Sequence, residues 1–577
     1  MTFRNLARYL ERLEKTSSRI EITKILAELF AKSNESEIDK VVYLILGNLA
    51  PIYSGVVFNL AEKMLVRALA GAYSIEVALV VEMYKKEGDL GEVAFRLANE
   101  RKRKGNSYEL SVREVHEKLL EIASDEGEGS QERKIEKMSK LISFLDPLSC
   151  RFVVRIPLGK LRLGFSDKTV IDALSWMETG SKEKRGKIET AYNLYPDVGL
   201  LAREVKKFGI DESVKRIKPE VGVPILPMLA QRLKSPKEMI EKMKKVFVEP
   251  KFDGLRIQIH YKRSGFSDGT KVKAFTRNLN ETSWMFPELK GVERYINCQE
   301  AIFDSEGIGV DEERKSLANF QTTMTRRRKH DIEKIASKVS IKFCVFDLMY
   351  KDGESLVNLP YEERRKILSE VIKKNSLLEV VDYEVTQDPE VISRLMRERL
   401  KQGMEGIIVK KYDSKYVAGR TGWRWVKMKE EEGAKAKLAD TVDCIVMGYS
   451  LGRGKRVSFG VGQFLVGILD GEIVKTVTKV GTGLTDEQFH ELKKRLTGLE
   501  AKEKPKSYLV DKLLEPDFWV EPSLVVEIAA DEITVSPTHS SGFALRFPRL
   551  VRFREDKSPK EATTITELKR LYKLQKN

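Results

Sequence analysis

The sequence predicts a multidomain fold: an all-α front domain (residues 1–215), an α+β domain with antiparallel sheets (216–429) and a small C-terminal β-barrel domain (430–577), the OB fold among its candidates. Three observations carry that prediction. Apolar residues recur at helical spacing through the front, a proline cluster then stops the pattern, and short β-rich runs fill the remainder. At about 100 to 200 residues per domain, 577 residues also exceed what one core organises.

In the front domain Leu6, Leu10 and Leu13 share one helix face, and Ser36 through Gly47 reads as a helix with Ser36 at its start and Gly47 past its end. The stretch DEGEGSQERK (Asp125 to Lys134) reads as a polar loop, and RKRKG (Arg101 to Gly105) as an exposed basic connection. Pro219, Pro224 and Pro227 then forbid a continuing helix, which sets the first boundary. Beyond it VFVEPKFDGLRIQIHYK, KVKAFTRN, AIFDSEGIGV, IKFCVFDLMY, EGIIVKKY and WRWVKMK read as strands, with YEERRKILSEVIKK a helical insertion. The charged run Lys429 to Asp440 reads as a hinge. Short strands with glycine turns follow, closing on RFPRLVRFREDK.

With 103 Lys+Arg against 87 Asp+Glu, the formal charge of +16 favours a polyanionic partner, nucleic acid being the commonest. Cys150, Cys298, Cys344 and Cys444 are scattered and the five His lack ligand spacing, which argues against a disulfide framework or a zinc site. No apolar run is long enough to span a bilayer, and the charged N-terminal segment does not read as a signal peptide, so an intracellular chain is expected.

Chemistry concentrates in the middle domain. In Glu249-Pro250-Lys251-Phe252-Asp253-Gly254-Leu255-Arg256 a lysine ends a strand where Gly254 turns the chain back, displaying it into a cleft. Taken alone, such a lysine is most simply a surface residue beside a turn; as a nucleophile it must lose its proton. A cation at about 4 Å, at an effective dielectric near 20, costs the ammonium roughly 4 kcal/mol, enough to bring a lysine of normal pKa about 10.4 near neutrality. Arg256 or a divalent ion could supply that charge. Further charged and aromatic residues mark other strand ends: Arg277, Glu306, Phe346 and Glu405. Lys427 and Lys429 alternate on one strand and share a face, where they would repel unless an anion such as phosphate lay between them. Glu306 and Glu405 offer the hard oxygen ligands that Mg²⁺ prefers.

These segments resemble the nucleotidyltransferases that form a covalent lysyl-nucleotide, and among them the ATP-dependent DNA ligases of the archaeal and eukaryotic replicative type. GDLGEVA, GKLRLGFSD, PILPMLA, YSLGRGKR and RFPRLVRFREDK extend the resemblance over essentially the whole chain. It implies a helical DNA-binding domain, an adenylation domain and an OB-fold domain. It implies that Lys251 is adenylated by ATP with Mg²⁺, Mn²⁺ being the alternative ion, and that nicks in double-stranded DNA are then sealed in replication, repair and recombination. Residue by residue it implies Glu249 on the adenine amino group, Phe346 on the adenine ring, and Arg256 and Arg277 on ribose or phosphate. It further implies Glu306 and Glu405 on ribose and metal, Arg420 as a further nucleotide contact, and Lys427 and Lys429 on the α-phosphate. Arg546, Arg549, Asp556 and Lys557 would orient pyrophosphate, and Gly159, Lys160 and Arg162 would contact DNA phosphates. A monomer in the archaeal cytosol, associated with the nucleoid, is implied, with no membrane contact. A sliding clamp would dock near Arg101 to Leu110, where GNSYEL offers Tyr108.

Three rivals remain at this stage. An RNA ligase or mRNA-capping guanylyltransferase shares the lysine chemistry but does not usually carry so long a helical front. An NAD-dependent ligase would bring a four-cysteine zinc module. An inactive DNA-binding scaffold would have lost Lys251 or the paired lysines, and this chain retains them.

Overall fold

The computed structural model describes residues 1–100, 109–159, 161, 163–233, 235–311, 316–317, 340–419, 422–429, 440–451, 459–482 and 484–575. The chain forms two compact units, Met1–Lys429 and Glu430–Asn577.

The front of the first unit is helical from Phe3–Glu14 to Ile210–Arg216, around one apolar core that runs from Phe3 to Ile217. Helical spacing does the work expected of it: Leu6, Leu10 and Leu13 are buried, and Thr2 caps the helix by accepting from the Asn5 amide. Two local expectations fail. Ser36 does not cap the helix Ile38–Ile45, because Glu37 occupies the cap position and Ser36 bonds Asn34 instead. The Glu37 carboxylate is drawn away to the N-terminal ammonium at 2.7 Å and the Asn34 amide, leaving the helix without a side-chain cap. The polar run from Asp125 is a loop only to Gly129, since the helix Ser130–Phe144 absorbs the rest. Gly127 and Gly129 take left-handed backbone there, and Arg133 clamps the turn onto Asp125 at 2.6 Å.

The GDLGEVA segment supplies Asp89 and Glu92 to one ion network. Asp89 accepts from the Gly91 amide at 2.7 Å at the start of Leu90–Glu100, and Arg155, ending Pro147–Arg155, bonds Asp89, Glu14 and Glu92. A Cβ at Gly91 would lie 2.6 Å from Arg155 Nε, so only glycine lets these helices approach.

The α+β part contains two sheets. A five-stranded sheet runs Gln231–Arg232, Trp425–Lys429, Gly406–Lys411, Val246–Lys251, Glu384–Thr386, and its first pair is parallel. A seven-stranded sheet is built on Val272–Thr276, Leu255–Lys262, Glu300–Asp311, Ser340–Lys351 and Glu354–Ser355, with Leu378–Val380 joining in parallel. Antiparallel pairing dominates, as expected. The lysine segment does not fold back as a hairpin: after Lys251 the chain leaves the five-stranded sheet, and at Leu255 it enters the seven-stranded one. Gly254 permits this crossing because a Cβ would sit 2.6 Å from the Gly307 carbonyl and 2.9 Å from Glu306 Cγ.

His260 is fully buried on Leu255–Lys262 and accepts from the Gly222 amide at 3.0 Å, which ties the proline-rich segment to the sheet. Burial, aided by Lys273, holds its pKa down at about 3 against an ordinary 6.5. The unfolded chain therefore binds one more proton between those values. Stability from this group is complete above pH 6.5 and falls by about 1.4 kcal/mol for each pH unit below it. Urea melts of wild type and His260→Gln between pH 7 and 5 should show a steeper loss for the wild type; parallel curves would remove the histidine from this role.

The second unit is a C-terminal sheet domain. Its main sheet runs Glu500–Ala501, Phe518–Val520, Val442–Ser450, Gln463–Asp470, Ile473–Val480, Tyr508–Leu509. Val525–Ala529 bridges Val442–Ser450 to Arg549–Phe553, and Glu532–Val535 pairs with Phe543–Arg546. Most of the expected hinge, residues 430–439, lies outside the described residues.

Candidate active site

Strand register explains why the candidate residues converge. In the five-stranded sheet Glu249 faces Ile408, Lys251 faces Gly406, Ile408 faces Lys427 and Gly406 faces Lys429. Opposed residues project from the same side of a sheet, so Glu249, Lys251, Lys410, Trp425, Lys427 and Lys429 share one face. The alternate residues Val246, Val248, Ile407, Val409 and Val426 pack into the core behind it. The seven-stranded sheet supplies Arg256, opposite Glu306, and Phe346. Phe346 is left without a ladder partner where the register slips between Asp304↔Asp347 and Ser305↔Val345. Such a bulge re-aims a side chain. The two sheets line a cleft of about 800 Å³ that includes Glu249, Lys251, Arg256, Arg277, Glu306, Phe346, Lys410, Trp425 and Lys427.

Lys251 ion-pairs with Glu405, and the same carboxylate takes Lys429 on its other oxygen. Burial pushes the Glu405 carboxyl up, but Lys251 and Lys429 hold it net below the usual range. Glu405 is thus an internal anion for Lys251 and Lys429, whereas the expected anion lay between Lys427 and Lys429. Gly406 follows with φ near +145°, and a Cβ there would overlap the Met428 carbonyl oxygen, which keeps the lysine strand tight against Glu405.

Arg256 does not stand beside Lys251 as a free cation. It grips buried Asp304 through Nε at 3.0 Å and Nη2 at 2.6 Å, and donates to the Met228 carbonyl at 2.5 Å. Tyr416 completes the group at 3.0 Å from Asp304. Glu306, half-buried and opposite Arg256, is held up at about 7 by desolvation, with Lys251 and Arg256 pulling the other way and Glu405 adding repulsion. Glu306 offers a carboxylate on the cleft, and Glu405 would have to release Lys251 or Lys429 to share a divalent cation with it. No group of three His, Cys, Asp or Glu forms a complete metal cluster among the described residues, so phosphate and water oxygens would complete the shell.

Arg277 is exposed at the rim, in a turn where Leu279 takes left-handed backbone at φ 65°. Arg420, Lys160 and Arg162 lie outside the described residues, as does nearly all of the segment Arg101 to Leu110. Gly159 is described, in left-handed backbone with open space about it. In the second unit each cation or anion expected to orient pyrophosphate has a local partner: Arg546 with Glu532, Arg549 with Asp531, Asp556 with Arg554, and Lys557 with Asp443.

Three polar residues at the cleft had no role in the sequence reading, although Asp347 and Lys410 fall in its strand-end segments. Lys410 pairs with Glu249 at 2.7 Å, Tyr361 bonds both, and Asp347 is held by Arg364 at 2.8 and 2.9 Å. Lys410 had a signal, being the one charge on the cleft side of the run Gly406 to Lys410. Tyr361 had none, since it begins an ordinary amphipathic helix, Tyr361–Val371.

Comparison with known proteins agrees along the whole chain. Residues 2–175 match the "DNA ligase N terminus" family, 227–429 the "ATP dependent DNA ligase domain" and 458–557 the "ATP dependent DNA ligase C terminal region". A "Probable DNA ligase" of Dictyoglomus turgidum is 40% identical over 587 aligned residues, covering 100% of this chain and 98% of that one. "DNA ligase" proteins of Sulfurisphaera tokodaii and Saccharolobus solfataricus are 38% and 37% identical, each with 100% of this chain and 98% of theirs covered. A solved structure described as "Pmar-Lig_Pre." shares the fold at TM-score 0.54 and 18% identity, covering 95% of this chain and 99% of that one.

Proposed function

We infer the reaction and its residues from one premise: the chain belongs to the ATP-dependent DNA ligase family. It joins nicked DNA strands, using ATP and a divalent metal ion. The ion is Mg²⁺ in our reading, held by Glu306 and Glu405, where it would neutralise phosphate charge. The three functional domains are 1–215 for DNA binding, 216–429 for adenylation and 430–577 as the OB-type domain, consistent with the three matched family regions.

Lys251 carries the chemistry. Its Nζ leaves Glu405, loses a proton and attacks the α-phosphorus of ATP; a P–N bond forms and the bond to pyrophosphate breaks. Lys427 and Lys429 draw the α-phosphate oxygens onto the sheet face, and Phe346 stacks on the base while Glu249 accepts from its amino group. Arg256, Arg277 and Arg420 contact ribose and phosphate, and the group Arg546, Arg549, Asp556 and Lys557 orients pyrophosphate. AMP then passes to the 5′-phosphate at the nick, and the 3′-hydroxyl displaces it as the phosphodiester closes. Gly159, Lys160 and Arg162 grip the duplex backbone, so binding is salt-dependent and largely independent of sequence. The enzyme acts as a cytoplasmic monomer in this reading, with a sliding clamp engaged near Tyr108. No single helix among the described residues is long and apolar enough to cross a membrane.

The observation that carries this reading is Lys251 on the cleft face with Glu405, Lys427 and Lys429. A 5′-phosphorylated nicked duplex should be sealed with ATP and Mg²⁺, chelation by EDTA should abolish sealing, and nicked RNA should be a poor substrate. Sealing that persists in excess chelator, or RNA joined as readily as DNA, would overturn it.

A further inference from the structure

We propose that Lys410 is a positioning residue for base selection: with Tyr361 it fixes the Glu249 carboxylate as an ionised acceptor that admits a 6-amino purine and rejects a 6-oxo purine. This rests on the nucleotide-cleft reading above and names the group that sets its specificity.

Lys410 and Glu249 are both about 2% exposed, yet both line the cleft. Lys410 Nζ lies 2.7 Å from Glu249 Oε2 and 4.4 Å from the ring centres of Phe346 and Trp425. Tyr361 Oη accepts from Lys410 at 2.8 Å, bonds Glu249 Oε1 and lies 2.8 Å from the Phe346 carbonyl. A hydroxyl has one hydrogen, and the charged acceptor takes it. Each carboxylate oxygen thus has one fixed donor behind it and a lone pair to spare toward the cleft. Phe346 ties the device to the base, because its carbonyl touches Tyr361 and its ring faces the nucleotide cleft.

A buried ion pair is weak evidence for stability, since apolar residues often replace one at no loss. Its placement against the cleft is explained by recognition. Without Lys410, Glu249 keeps the Tyr361 hydroxyl as its hydrogen-bonded partner, with Arg365 acting on it through space, and the oxygen that Lys410 held is no longer fixed. The preference for a 6-amino purine should therefore lose most of its strength.

Self-labelling with α-labelled ATP and inosine triphosphate, which differ at position 6, tests this in full-length protein. Wild type should favour ATP by about 10⁴-fold in kcat/KM. Lys410→Met should bring the two within about tenfold, through KM for ATP more than through kcat, and Lys410→Arg should restore most of the preference. Tyr361→Phe, which keeps the ammonium, should narrow the ratio by about tenfold, and it carries the test if Lys410→Met does not fold. A ratio unchanged in folded Lys410→Met or in Tyr361→Phe, or equal losses on both nucleotides, would assign Lys410 a structural role and overturn the proposal. Wild type unlabelled by either nucleotide would instead overturn the ligase mechanism itself.

Discussion

Lys251→Ala gains no AMP on incubation with ATP and Mg²⁺, whereas the parent protein gains one, read as the mass of the intact chain. The alanine variant should lose self-adenylation by about 10⁴-fold or more, the scale on which enzymes lose covalent catalysis when the nucleophile is removed. Lys251→Arg sharpens the result. Arginine can keep the ion pair with Glu405 but cannot shed its proton, so it should be equally inactive while melting close to the parent. An adduct on either variant would place the nucleophile elsewhere. Protein adenylated before purification must first be stripped with pyrophosphate, or the parent will show no gain.

The second large effect is on stability. Asp347 and Arg364 are both fully buried and bonded bidentately, and Arg364 also donates to the Leu359 and Ser414 carbonyls. Asp347→Ala leaves a buried guanidinium without its counter-charge, which should cost about 3–5 kcal/mol. Replacing both, as Asp347→Leu with Arg364→Met, should recover part of that loss. Denaturant melts of the two variants decide the matter: a single variant within about 1 kcal/mol of wild type would mean that water or backbone already satisfies the arginine. The pair lies directly behind Phe346 and Tyr361, so a drop in nucleotide affinity should accompany the drop in stability.

Periodicity made much of this legible. The parity of Lys427 and Lys429 places them on one sheet face, and the structure puts both on the side that carries Lys251. The proline cluster marks where helix-forming sequence ends, because proline cannot donate to a helix ladder. Register was not legible. That Glu405 falls between Lys251 and Lys429 depends on which residues oppose Gly406, a long-range pairing that no local spacing encodes. The Lys410–Glu249 pair is hidden for the same reason, its members being 161 positions apart along the chain. Ser36 failed as a cap because a tertiary partner, the chain's own N-terminus, set the local geometry through Glu37. Propensity at a helix end is a weak prior, and one buried ion pair outweighs it.

The crossing at Phe252 to Gly254 has a mechanical consequence. Glu249, Lys251 and the paired lysines belong to one hydrogen-bonded ladder, whereas Arg256, Glu306 and Phe346 belong to another. Ladder bonds resist stretching collectively, but no ladder bond spans the seam between the two sheets in the described residues. The chain crosses the seam again between Val380 and Glu384, and Tyr361 bonds both Glu249 and the Phe346 carbonyl, so the two plates are stitched by short links and side chains instead of by ladder bonds. The nucleophile is riveted to the lip of one plate, beside the first of those links. Its aim is set by the ladder of its own sheet, whereas the opposite wall is held by stitches that single substitutions can cut one at a time.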